Sequence, residues 1–315
     1  SLFNGNVFSF IYRKFFDLIK MIDLKSHALV FGSMKPWMIV LYYVIFIVIL
    51  ICIEKEKISK FCATFSFLII YMILIYNKGY FINYQQVTFL NVYQGDCTIL
   101  VDKHNQGVML IDTGGIINYD IASKKIIPYL EYNGIKKIDK IVITHEDYDH
   151  CGALENLEKM IVVKEIIKEN NFEKITCGNM EFTNLNANSK YDNNNDNSIV
   201  LYGNVCKKDM LFMGDASVKI EEKIIDTYGY FNVDLLHVGH HGSKTSSSFN
   251  FINSYKPKYA IISVGKNNKY GHPNEEVLDI LNSCNCIIYR TDINGTTKIT
   301  SKTGKSYFFK FAKNV

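Results

Sequence analysis

Residues 140–152 read KIVITHEDYDHCG: a short β-rich run, 140–143, opens directly into a turn that carries His145, Asp147, Asp149 and His150 within six residues. A strand that stops at a polar turn lets side chains from one short segment converge on a point. Imidazole together with carboxylate is the ligand set wanted by Zn, Mn or Fe. These four residues are therefore the expected core of a metal-dependent hydrolase site.

Four further segments have the same character. LIDTGG at 110–115 places Asp112 just before a flexible turn, and FMGD at 212–215 does the same for Asp215. VGHHGS at 238–243 sets His240 and His241 after a strand-like run, and YGHP at 270–273 sets His272 ahead of a helix start. Any one of them alone is a turn with a polar residue. Together they predict convergence on a two-metal centre.

The surrounding sequence, 85–315, alternates between two periods. Strands are expected at 87–92, 98–101, 108–111, 140–143, 199–202, 210–213, 235–238, 260–264, 287–289 and 306–311. Helices are expected at 121–132, 220–228 and 274–282, with Pro273 suited to a helix N-terminus. Residues 186–197 read as a polar, Asn-rich loop. Strands interleaved with helices predict an α/β domain of sheets covered by helices.

Ahead of it, residues 37–53 are apolar or aromatic without a break, and 61–76 are interrupted only by Thr64 and Ser66. A spanning helix needs about 20 such residues, with roughly 17 the lower limit. Residues 36–78 are therefore expected to form two transmembrane helices, an all-α membrane hairpin joined by the charged EKEKISK at 54–60. The alternative is a pair of buried core helices, but soluble helices rarely stay apolar all round for so long. Within 1–35, residues 7–22 mix Phe8, Phe10, Phe15 and Phe16 with Arg13, Lys14 and Lys20, which suits an amphipathic segment at a membrane surface. The expected location is thus integral in the cell membrane. The lysines flanking the two runs favour cytoplasmic flanks. A chain that begins with Ser is compatible with a fragment of a longer channel protein, which leaves open the side on which the large domain lies. The net charge of +4 is too small to argue for a polyanionic partner by itself. The eight cysteines form no C-x-x-C pair and predict neither a disulfide framework nor a thiolate zinc site.

The order IDTGG, THEDYDH, GD, HHGS, GHP resembles the metallo-β-lactamase superfamily. More narrowly, FLNVYQGDCTILV, DNSIVL, LLHVGHHGSKTSSS, ISVGKNNKYGHPNEEVL and RTDINGTTKIT resemble the C-terminal hydrolase domain of ComEC-type DNA-internalisation proteins, preceded by their last membrane helices. The resemblance implies an αββα sandwich over 85–315 with the metals at one edge. It implies that His145 and Asp147 bind a first ion, Asp149 and His150 a second, that Asp215 bridges them and that His272 completes the second site. His240, with Asp149 among the catalytic groups, would be a ligand or a proton donor to the leaving group. Asp112 would orient a ligand, and His241, Ser243 and Lys244 would lie beside the metals or the substrate. Three departures matter. Asp147 stands where the superfamily signature has His, and no His occupies the middle ligand position, for which Asn197 or Asp196 is the candidate. The family's DVGQGD reads NVYQGD at 91–96. More oxygen and less nitrogen makes the site harder, so Mn²⁺ rivals Zn²⁺.

The function expected from the resemblance is a membrane-anchored two-metal phosphodiesterase or nuclease that degrades or processes single-stranded DNA during uptake, alongside other uptake components. Its rivals are a hydrolase of a small phosphodiester or ester, and a vestigial, non-catalytic module of a DNA-transport protein.

Overall fold

The computed structural model describes residues 30–302 and, as backbone, 307–310; the amphipathic segment expected at 7–22 lies outside these residues. The chain divides after Tyr76 into two compact units.

The first unit contains a helical hairpin. Helices α1 (Pro36–Glu54) and α2 (Ile58–Tyr76) have 19 residues each, about 28 Å at 1.5 Å per residue. Pro36 opens α1, where its missing N–H costs nothing. The helices meet through Ile45, Ile49, Tyr71 and Ile75, and the Tyr71 hydroxyl donates to the Met38 carbonyl at 2.6 Å. Both are long and apolar enough to cross a membrane, and most of their apolar side chains are exposed, Val40 by 62% and Ile58 by 76%. The second helix begins at Ile58 rather than 61, because Lys60 and its neighbours continue the turn.

The second unit opens with β1 (Gln86–Phe89), β2 (Thr98–Val101), β3 (Val108–Ile111), α3 (Ile127–Tyr132), β4 (Lys137–Ile138) and β5 (Lys140–Val142). Helices α4 (Tyr148–Cys151) and α5 (Leu154–Met160) follow, then β6 (Val162–Val163), β7 (Ile166–Ile167), β8 (Lys174–Cys177), β9 (Met180–Asn184), β10 (Leu201–Val205) and β11 (Lys208–Phe212). The remainder is α6 (Val218–Tyr228), β12 (Leu235–His237), α7 (Phe249–Tyr255), β13 (Tyr259–Ile262), α8 (Glu275–Ser283), β14 (Ile287–Arg290), α9 (Thr291–Asn294), β15 (Thr297–Thr300) and β16 (Tyr307–Lys310).

Two seven-stranded sheets result, in the orders β16-β15-β1-β2-β3-β5-β7 and β14-β13-β12-β11-β10-β9-β8. Their inner faces share one core in which Phe89 of the first sheet packs with Phe212 of the second, ring centroids 6.2 Å apart. On the outside of the first sheet, Ile99, Leu110 and Ile141 pack with Leu130 of α3 and Leu157 of α5. On the outside of the second, Leu211, Leu236 and Ala260 pack with Ile220 of α6, Ile252 of α7 and Leu281 of α8. The layers are therefore αββα, as expected.

Register then positions the site. Strands β3 and β5 run parallel with Ile111 opposite Val142. Strands β11, β12 and β13 run parallel with Phe212, His237 and Ile261 side by side. The residues that follow these strands emerge together at one edge of the sandwich, where ligands gather in parallel sheets. Several elements were not expected from sequence: β4, β6 to β9, α4, α5, α7, α9 and β15. Strands of two residues carry no readable period, and α4 is a single turn inside the ligand motif. The helix expected at 121–132 is a π turn, Ala122–Ile126, running into α3; Pro128 removes a backbone donor there, which suits a widened turn.

Candidate metal centre

The turn after β5 delivers His145 and, through α4, His150. Both rings are buried, with centroids 4.0 Å apart. Asp112, at the end of β3 with a left-handed φ of 59°, is the fastening point between them and the sheet. Its Oδ1 accepts from the Thr144 backbone N–H at 2.7 Å, and its Oδ2 accepts from the Thr144 hydroxyl at 2.7 Å and from His150 Nδ1 at 2.8 Å. With Nδ1 donating to a carboxylate, His150 presents the lone pair of Nε2 to the site, the arrangement that orients metal-binding histidines.

Asp215, after β11, faces these rings with both oxygens. Oδ2 lies 3.5 Å from His145 Nε2, and Oδ1 lies 3.2 Å from His150 Nε2. The second contact has the distance of an ion pair without the alignment of a hydrogen bond, so His145 Nε2, His150 Nε2 and Asp215 Oδ1 are all buried and unpartnered. Asp147 adds a more exposed carboxylate, 3.7 Å from His145 Nε2.

A second group forms around Asp149, whose Oδ2 accepts from His241 Nε2 at 3.2 Å. His241 Nδ1 lies 2.9 Å from the Ser263 carbonyl and 3.3 Å from Asp96 Oδ1. His145, His150 and Asp215 form one set of converging ligand atoms among the described residues, and Asp149, His150 and His241 another. Buried unpartnered donors of this chemistry fit a divalent cation.

The electrostatics agree. Burial pushes the Asp215 carboxyl up, but His150 and His241 outweigh it and hold it well below the ordinary carboxylate range. Burial pushes His150 and His241 down, and the surrounding carboxylates, Asp215 first, carry both well above the usual imidazole value. Asp96, raised by burial and lowered more by His237 and His241, sits at about 2. The crowded carboxylates around these rings carry a negative charge that a cation would balance.

The remaining sequence candidates are placed as follows. His240 and His241 both have left-handed backbones, φ 50° and 53°, so adjacent rings diverge. His241 turns inward to Asp149. His240 stays partly exposed with Nε2 3.5 Å from Asp215 Oδ2 and Nδ1 3.0 Å from the Thr245 hydroxyl. The structure thus brings His241, rather than His272, to the second group. The His272 ring lies 5.8 Å from that of His240, and burial, then His240, lowers its pKa. Asn197 is committed elsewhere: its Oδ1 accepts from the Tyr191 N–H at 2.7 Å, and its Nδ2 donates to the carbonyls of Tyr191 at 2.7 Å and Asn193 at 3.2 Å. Asp196 accepts from Ser217. Ser198, whose hydroxyl accepts from the Asp215 N–H at 3.2 Å, stands closer to the centre. Lys244 is exposed, while the Ser243 hydroxyl lies 3.0 Å from that of Thr245. The later serines are internal staples, with Ser246 donating to the Gly239 carbonyl and Ser248 capping α7.

Sequence reasoning missed Asp96, which touches His237 and His241; its signal was the buried-strand context on both sides of Gln94-Gly95-Asp96. It also missed that the Asn-rich loop is a built wall. Asn186 Nδ2 donates to the carbonyls of Asp196 and Ser198 at 2.9 Å each, and Lys223 Nζ reaches Asn186 Oδ1 at 3.0 Å. A cleft of about 830 Å³ lies between this wall and residues 168–171, with His145 at its base.

Residues 90–175 match the metallo-beta-lactamase superfamily. Among curated proteins, the chain is 27% identical to ComE operon protein 3 of Bacillus subtilis (strain 168), across 94% of this chain and 44% of that protein. It is 29% identical to Recombination protein 2 of Haemophilus influenzae, across 78% and 33%. It is 30% identical to competence protein ComA of Neisseria gonorrhoeae, across 68% and 32%. The chain spans less than half the length of these curated relatives.

Proposed function

We propose that the chain, whose residues 90–175 match the metallo-beta-lactamase superfamily and whose curated relatives include competence proteins, is a membrane-anchored phosphodiesterase that cuts single-stranded DNA during DNA uptake. The observation that carries the hydrolytic reading is the convergence of three buried, unpartnered ligand atoms, His145 Nε2, His150 Nε2 and Asp215 Oδ1. The DNA reading leans on the competence relatives, and the anchoring on the two apolar helices.

In this reading His145, Asp147 and Asp215 would hold one divalent ion, Zn²⁺ or Mn²⁺, and Asp149, His150 and His241 would hold a second. Ions held there would supply Lewis-acid polarisation of a phosphoryl oxygen and an acidified water. Asp215 serves both sides because its two oxygens face different rings. Asp112 fixes the His150 ring, and the Ser263 carbonyl with Asp96 fixes the His241 ring. His240 stands on the solvent side of Asp215 with Nδ1 anchored on Thr245, which leaves Nε2 to pass a proton to the departing oxygen.

The test is incubation of the full chain in detergent with Mn²⁺ or Zn²⁺ and a single-stranded oligonucleotide. Fragments are expected, and a chelator or Asp215→Asn should abolish them. Turnover of a small activated diester without DNA cleavage would redirect the reading to a small-molecule esterase. Turnover of neither would leave a vestigial binding module and overturn it.

A further inference from the structure

Beyond β13 the chain runs GKNNKYGHP from 265 to 273 before entering α8. One side chain closes this loop on itself. Asn268 Nδ2 donates to the carbonyls of Gly265 at 3.0 Å and His272 at 2.6 Å, and its Oδ1 accepts from the N–H groups of Tyr270 at 3.1 Å and His272 at 3.0 Å. The closed loop leaves Lys266, Lys269 and Tyr270 exposed, Tyr270 by 54%.

Tyr270 also stands in line with the centre. Its ring lies 5.8 Å from that of His272 at an interplanar angle of 15°. The His272 ring is 5.8 Å from that of His240, whose Nε2 is 3.5 Å from Asp215 Oδ2. Three rings therefore step from the ligand carboxylate to the surface. The Lys269 ammonium sits 5.0 Å over the last of them, which puts a cation beside an aromatic face. An aromatic ring that buries so little of itself does little for the fold. Aromatic faces interleaved with lysines are how single strands are held without sequence preference: bases stack on the rings while cations follow the phosphates.

We propose that the loop of residues 266–272 is a nucleotide-stacking subsite. Tyr270 carries the base next to the scissile phosphodiester, and Lys266 and Lys269 hold the flanking phosphates. The assignment rests on the single-strand phosphodiesterase reading above, since a small diester has no use for such a platform.

The test measures binding of the full chain to a fluorescent phosphorothioate single strand, which resists cleavage, alongside cleavage of the ordinary strand by the same preparation. Tyr270→Ala and Tyr270→Leu should each weaken binding by about 5- to 150-fold, the range of one base–aromatic stack. Tyr270→Phe should stay within about twofold of the parent, since the stacking face is kept. Replacing Lys266 and Lys269 by Ala should flatten the salt dependence by about 0.7 in log–log slope per lost phosphate contact. Tyr228→Ala, an exposed aromatic at the end of α6, should leave binding unchanged. If the parent binds and cuts the strand while Tyr270→Ala binds as tightly, the subsite is refuted and the phosphodiesterase reading survives. If the parent neither binds nor cuts single strands, both fall together.

Discussion

The two groups of ligand-type side chains meet at His150 but differ in how their atoms are paired. In the group of His145, His150 and Asp215, the ligand atoms are buried and without hydrogen-bond partners. A buried polar atom left unsatisfied costs about 1–3 kcal/mol, so this half is held in a state that a cation relieves. In the other half, His241 Nε2 is already paired with Asp149 Oδ2, and Asp149 retains 29% side-chain exposure. An ion entering there must first displace a ready-made charged contact. The first group is thus a set of unpartnered atoms and the second a paired one, and of the two proposed ions the first should bind more tightly.

The largest effect is expected from Asp215→Asn, because Asp215 faces His145, His150 and His240 at once. Loss of an orienting partner behind a metal ligand costs roughly 10–100-fold; removal of this carboxylate should exceed about 100-fold in diester turnover and empty both halves by elemental analysis. If one ion per chain survives intact, Asp215 belongs to one half only. Next come the two supporting carboxylates, each expected in the 10–100-fold range. Asp112→Asn loosens the His150 ring and also the Thr144 turn that carries His145, and should reduce metal in both halves. Asp96→Asn touches His241 and His237 and should reduce the second ion alone. Equal losses from both variants would break the distinction between the unpartnered group and the paired one.

Much of this was legible in the sequence, for reasons that can be named. The ligand turn stands out because an apolar strand, 140–143, ends in four ligand-type side chains, whereas the parallel register of β3 with β5 and of β11 with β12 and β13 was not legible, since run length does not set strand direction. The hairpin was legible because an apolar run without a period needs no tertiary information. The choice between His241 and His272 was not, because it is made by two consecutive left-handed residues, His240 and His241, that swing neighbouring rings apart. Side-chain type says nothing of that. Asn197 was misdirected in the same way: a polar residue before a strand looks like a ligand until the loop behind it is seen to need its amide.

Chelation should sharpen the comparison at smaller scale. Ligand binding to the folded state stabilises it by about 2.7 kcal/mol at 100 times Kd, and each kcal/mol moves Tm by roughly 2–4 °C in a domain of this size. Titrating Zn²⁺ or Mn²⁺ into chelated protein should raise Tm in two stages, a steep one as the unpartnered group takes its ion and a shallow one as the His241–Asp149 pair gives way to the second. A single stage that Asp96→Asn leaves unaltered would mean that only the first half takes an ion.

The smallest effect tests where the first half ends. Asn197 makes three hydrogen bonds to the backbone of its own loop, each worth about 1 kcal/mol net and less where solvent competes. Asn197→Ala should therefore lower Tm by a few degrees, slacken the wall of the 830 Å³ cleft and leave the metal content per chain as it was. Should the variant instead lose its tighter ion while keeping its Tm, the Asn197 amide reaches the centre when an ion is present. The first group would then be a four-residue site whose last member is drawn in from the loop.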